Sequence, residues 1–151
     1  MRRVYLASIA LAVVLFLAIS AVLARVFSAD GAERAAITAF VKAEAGGDEA
    51  GAVARIRGCG ADPACSAAVT RNVTALRRLG RVSIIQIQAS AGFSLGSTLG
   101  TARVAWDAGS SLPIVQCLRV RRAGNAFSGL RVELLAVTPR IKSNADCPAR
   151  F

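Results

Sequence analysis

Residues 113–137, PIVQCLRVRRAGNAFSGLRVELLAV, decide how the globular part of this chain is read. Apolar and polar residues alternate on both sides of a Gly124-Asn125 turn. Leu118 and Val120 stand against Arg119 and Arg121. Leu130, Val132 and Leu134 stand against Arg131 and Glu133. A period of two marks a strand with one face on a core. The stretch therefore predicts two strands, Pro113–Arg122 and Leu130–Val137. The same alternation precedes it. Val82–Ala89 sets Ile85 and Ile87 against Gln86 and Gln88, and Thr101–Asp107 sets Ala102, Val104 and Trp106 against Thr101, Arg103 and Asp107. Ala91-Gly92 and Gly109-Ser110-Ser111 carry turn chemistry between them. Connections this short join antiparallel neighbours, so a four-stranded meander is expected.

Upstream of Gly80 the period is that of a helix. Asp30 followed by Glu33 resembles a capping box opening a helix to about Glu44, with Ile37, Phe40 and Val41 on one face. Gly46-Gly47 ends it, and Asp48 caps a second, short helix through Arg57. Asp62-Pro63 pairs an N-cap carboxylate with proline at the first helical position. This third helix is expected to reach Leu79, with Cys65, Val69, Val73 (or Asn72), Leu76 and Leu79 as its stripe and Gly80 as its stop. The expected fold class is α+β: an N-terminal transmembrane helix, then two to three helices packed on a curved four-stranded antiparallel sheet.

Farther out lies Val4–Leu23, VYLASIALAVVLFLAISAVL, which has no charge, Pro or Gly. About 20 such residues span a hydrocarbon core about 30 Å thick. The segment is read as a membrane anchor; the alternative is secretion after cleavage near Ala24. Flanking charges are nearly balanced between Arg2 and Arg3 on one side and Arg25, Arg34 and Lys42 on the other. The short amino-terminal tail and the placement of the cysteines favour a single-pass protein of the cell membrane with its C-terminal domain outside. Three parts follow: residues 1–29 as anchor and linker, 30–138 as the α+β domain, and 139–151 as a tail tied by Cys147.

All four cysteines, Cys59, Cys65, Cys117 and Cys147, lie beyond the apolar run. An even count in a small exported domain reads as disulfides, with Cys59–Cys65 and Cys117–Cys147 the preferred pairs. Zinc favours closely paired cysteines or histidine. Here the closest pair is C-x₅-C and the chain has no His, so no metal is expected.

The formal net charge is +10. Arg103, Arg119, Arg121 and Arg131 share the polar parity of three strands expected to be adjacent, which would make one basic sheet face. Such a face suits an acidic envelope protein or an anionic polymer. Nucleic acid is not expected, because the domain is read as lying outside the cell and its one Trp falls on the core side.

The order of elements resembles a family. AERAAITAFVKAEAGGDEAGAVA (32–54) followed by CLRVRRAGNAFSGLRVELLAV (117–137) is similar to small membrane-anchored nuclear-transport-factor-like (cystatin-like) domains of the bacterial cell envelope. RRAGNAFSGLRVELL resembles their last hairpin, with Phe127 where that pattern usually has Trp. The resemblance covers about residues 31–138 and implies an accessory role in the envelope. Enzymes on that fold place an acid or base in the cone between sheet and helices, often with a Tyr donor. Here Tyr5 lies in the apolar run, and Asp107 and Glu133 fall on the polar face. No nucleotide, zinc-protease or nucleophile-elbow motif occurs; Gly92, Gly96 and Gly100 read as turn residues. The expectation is a non-catalytic binding or accessory module without a cofactor. The alternative is a small-ligand-binding domain with a pocket between helices and sheet.

Overall fold

A computed structural model describes residues 2–90, 98–125, 129–142 and 145–148. The elements are α1 (Arg2–Gly46), α2 (Glu49–Arg55), a 3₁₀ turn (Cys59–Ala61), α3 (Pro63–Leu76), β1 (Val82–Gln88), β2 (Thr98–Ala108), β3 (Ile114–Asn125) and β4 (Gly129–Val137). The four strands form one antiparallel sheet in the order β1-β2-β3-β4. The chain is thus α+β with one long apolar N-terminal helix. Gly92, Gly96 and Phe127 lie outside the described residues.

The expected start of a helix at Asp30 is corrected: α1 runs without a break from Arg2 to Gly46. Between the apolar run and Gly46 there is no proline. The glycine in that stretch, Gly31, costs an α-helix only about 1 kcal/mol. Asp30 and Glu33 do not cap a helix. Their carboxylates turn instead to Arg122 of β3. Arg122 Nε donates to Glu33 Oε2 at 2.6 Å and Nη2 to Asp30 Oδ1 at 2.6 Å. Ser90 adds two donors to Glu33, its backbone N–H at 2.7 Å and its hydroxyl at 2.9 Å. Glu33 is wholly buried and the Arg122 side chain is 11% exposed. Gly100 makes room for this clamp, since a Cβ there would stand 2.5 Å from the Ser90 Cβ.

The local caps at α2 and α3 form as expected. Asp48 Oδ1 accepts from the Gly51 N–H at 2.8 Å. Asp62 Oδ1 accepts from Ala64 and Cys65, with Pro63 following. α3 stops at Leu76, earlier than expected, because the Arg78 N–H leaves the helix for the carbonyl of Ala45 at the end of α1. Leu79 is therefore not part of the stripe and is 89% exposed.

One core joins the three helices to one sheet face. Ile37, Phe40 and Val41 of α1 meet Val69, Val73 and Leu76 of α3 and Val104, Trp106, Ile114, Leu118, Val120 and Leu134 of the sheet. A bulge between Ile84 and Gln86 shifts the parity of β1. Ile84 and Ile87 thus pack on the core side, and Ile85 is 53% exposed, against the expectation that Ile85 and Ile87 share a face. The outer edge of β4 is partly covered by Ile56, which bridges to Leu134, and by the Arg57 N–H, which donates to the Leu134 carbonyl at 2.8 Å.

Removing Arg122 leaves a buried carboxylate with only Ser90 to hold it. Arg122→Leu is expected to cost about 3–5 kcal/mol, and Glu33→Gln in the same chain to recover part of the loss. Denaturation of the full chain in micelles, followed by the fluorescence of its single, buried Trp106, measures both.

Candidate functional site

The sheet has two faces of different chemistry. Its inner face is the core described above. On the outer face, strand register brings the four expected arginines together. Arg103 of β2 stands opposite Cys117, and Arg119 of β3 opposite Thr101. Arg121 stands opposite Leu99 on one side and Glu133 on the other, and Arg131 opposite Ala123. All four therefore share one face across β2, β3 and β4.

This face is basic but not uniformly so. Glu133 accepts from Arg57, which reaches round the β4 edge, and its carboxylate lies 3.7 Å from Arg121. Asp107 sits at the far end of β2, opposite Ser83. The guanidinium groups thus outnumber the carboxylates. Leu99 is exposed among them.

Cys117 is on this outer parity yet fully buried. The cause is the tail. Thr138 N–H donates to the Cys117 carbonyl and Ile141 N–H to that of Val115, so the chain continues along β3 past the end of β4. It then returns Cys147 onto Cys117 with an S–S distance of 2.09 Å. Cys59 and Cys65 are likewise joined, at 1.97 Å, where the 3₁₀ turn meets α3. Neither pair leaves a free thiol. Bridges of this kind persist in oxidising compartments.

A second polar group lies inside the core, where only apolar residues are expected from the pattern. Glu44 of α1 is wholly buried. Gln116 Nε2 donates to its Oε1 at 3.0 Å, and Trp106 Nε1 donates to Gln116 Oε1 at 2.9 Å. Gln116 Nε2 and Asn72 Nδ2 both reach the Thr138 carbonyl. Glu44 Oε2 has no partner among the described residues. Burial pushes the Glu44 carboxyl up to about 7, against a smaller lowering by the Gln116 hydrogen bond. Such a group holds a proton near neutral pH, which is the range of an acid or base. It is packed against Gln116 within the core, however, and does not line either of two surface depressions of about 410 and 520 Å³. It serves in the packing as a buried hydrogen-bonding carboxyl that is mostly protonated below pH 7.

The pattern does carry a trace of it. Glu33, Ile37, Phe40, Val41 and Glu44 repeat at three- and four-residue steps, which places both carboxylates on the apolar face of α1. Among the described residues no three His, Cys, Asp or Glu side chains converge to hold a metal ion.

Glu44 ionises near pH 4.5 when unfolded and near 7 when folded. The folded state then binds more protons in that window, so stability falls as pH rises from about 4.5 to 7. Glu44→Gln is expected to flatten this slope and to exceed the native chain by about 3 kcal/mol above pH 7. Denaturation midpoints across pH 4–8 check it. The chain matches no protein-family model, and no curated protein or solved structure is significantly similar to it.

Proposed function

We propose that this chain is a single-pass membrane protein whose α+β domain stands outside the membrane and works as a non-catalytic binding or accessory module. The observation that carries the reading is the outer sheet face, which Arg103, Arg119, Arg121 and Arg131 share across three adjacent strands. Arginine on a sheet presents a rigid fork to carboxylate or phosphate groups, so the partner is an acidic envelope protein or anionic polymer. Three further facts support the placement. α1 holds an apolar run long enough to cross a membrane. Every cysteine lies beyond that run and is in bonding distance of another. Arg2 and Arg3 give the run a basic start.

A contact surface is favoured over a ligand pocket by the way the core is filled. Trp106, Phe40, Ile37, Ile114 and Leu118 occupy the space between α1 and the inner face. The likeness to nuclear-transport-factor-like domains, with the sheet curved round α1, is kept as part of this proposal.

Reversing two charges on the outer face tests it. Arg119→Glu with Arg121→Glu is expected to reduce crosslinked partner recovered from intact membranes at least tenfold, since opposed like charges replace paired ones. The membrane fraction of the chain itself should not change. Unchanged recovery would remove the outer face as the binding surface.

A further inference from the structure

A second basic site lies at the opposite end of the domain from Arg121 and Arg131. The C-terminus of α1 and the link from α3 to β1 enclose an open depression of about 410 Å³, lined by Lys42, Ala45, Gly46, Arg78, Gly80, Arg81 and Val82. Its charged residues are all cations, and no ion pair among the described residues involves them. The acids nearest in sequence face elsewhere. Glu44 points into the core, and Asp48 caps α2.

The walls are held in place by backbone contacts. Arg78 N–H donates to Ala45 O at 3.0 Å, and Gly109 N–H to Arg81 O at 3.3 Å. Gly80, at φ 107°, sits so close to Gly109 that a Cβ would stand 3.1 Å from the Gly109 Cα. Arg78 Nη1 donates to the carbonyls of Ala75 and Arg77, which fixes its guanidinium at the rim. A helix C-terminus ordinarily repels an anion. Here the carbonyls of Ala43, Glu44 and Ala45 are already engaged by Asp48, Gly47 and Arg78.

We propose that this depression binds a phosphate-bearing soluble ligand, with Lys42, Arg78 and Arg81 as the cations that hold the oxyanion. Three cations that line one depression, with no ion pair to an acid among the described residues, match a group that carries close to two negative charges. The volume suits a small molecule. Headgroups of the membrane that α1 is proposed to enter are not the source. The site is fixed to the end of α1, and the apolar run of the same helix ends at Leu23. At about 1.5 Å of rise per residue, the helix from Leu23 onward carries the site roughly 30 Å beyond that run.

The test uses the full chain in nanodiscs of neutral lipid, with inorganic phosphate as the probe and Trp106 fluorescence as the readout. Phosphate at about ten times its Kd should raise the thermal midpoint by about 3 °C or more. Sodium chloride of equal ionic strength should not. Lys42→Ala with Arg81→Ala should abolish the rise while leaving the midpoint without phosphate unchanged. Arg119→Ala with Arg121→Ala should keep it, which separates this site from the outer sheet face. A rise that survives in the Lys42/Arg81 variant, or that chloride reproduces, overturns the proposal. So does a Lys42- and Arg81-dependent rise produced by phosphatidylglycerol in the disc without added phosphate, because the site would then take headgroups.

Discussion

The ion pair between Arg122 and Glu33, with Asp30 beside it, is the constraint on which the arrangement of this protein depends. It joins the third strand to the helix that enters from the apolar run. Burial by itself works against the Arg122 charge, but hydrogen bonds and charge from Glu33 and Asp30 outweigh it, so the guanidinium is held above its ordinary value. An isolated buried charge costs several kcal/mol, and a pair is stable only when its remaining hydrogen-bonding capacity is met. Ser90 meets it here with two donors, and Gly100 gives Ser90 the space. A strand, a helix, a loop end and a glycine thus agree on one geometry. Buried ionic groups can fix register where apolar packing would tolerate slippage. β4 has a bulge close by, with Leu135 unpaired opposite the step from Arg119 to Val120, and this is where such a pin is useful.

The pin has a consequence for how the domain is carried. Because Asp30 and Glu33 are occupied by Arg122, nothing interrupts the helix at the boundary between apolar run and core. One face of its C-terminal half contributes Ile37, Phe40 and Val41 to the core, while the large apolar side chains from Ile9 to Leu23 are exposed. The proposed membrane anchor and the segment that organises the core are one rod. Both proposed binding sites are then held at fixed positions along that rod, the outer sheet face at the side and the cationic depression at its far end.

Much of this is legible in residue order, and the rest is hidden for identifiable reasons. Alternation is a local signal, and the four strands and their antiparallel order follow from it. Gly109-Ser110 turns as expected, but Gly124 and Asn125, expected as a turn, continue β3 opposite Leu130 and Gly129, and Gly100 lies within β2 opposite Val120. Asp62-Pro63 is equally local, and α3 starts where it says. The disulfide partners follow from which elements are neighbours. The helix boundary at Asp30 is ambiguous in sequence because a capping box and a long-range salt bridge use the same carboxylates. Ile85 departs from its expected face because a bulge adds a residue that no alternation announces. Leu79 continues the stripe by period alone, but Arg78 has already left the helix to bond Ala45. Cys117 obeys the outer parity and is buried all the same, because a tail that joins it across 30 positions of sequence covers it. Glu44 is hidden by the rule that charged residues face water, although its spacing from Ile37 and Val41 puts it inside.

The continuity of α1 is the central claim, and a distance measurement tests it most directly. Ala24 and Lys42 are both exposed and both lie on α1, so each can carry a spin label as Ala24→Cys and Lys42→Cys. About five full turns separate them, or about 27 Å of axial rise with both labels on the same side. With the native cysteines left oxidised, pulsed dipolar spectroscopy of the full chain in nanodiscs should return a single narrow distribution at about 27 Å. A broad distribution, or one centred well below that distance, would mean that the helix bends or breaks near Asp30 and that Arg122 does not hold anchor and domain as one body.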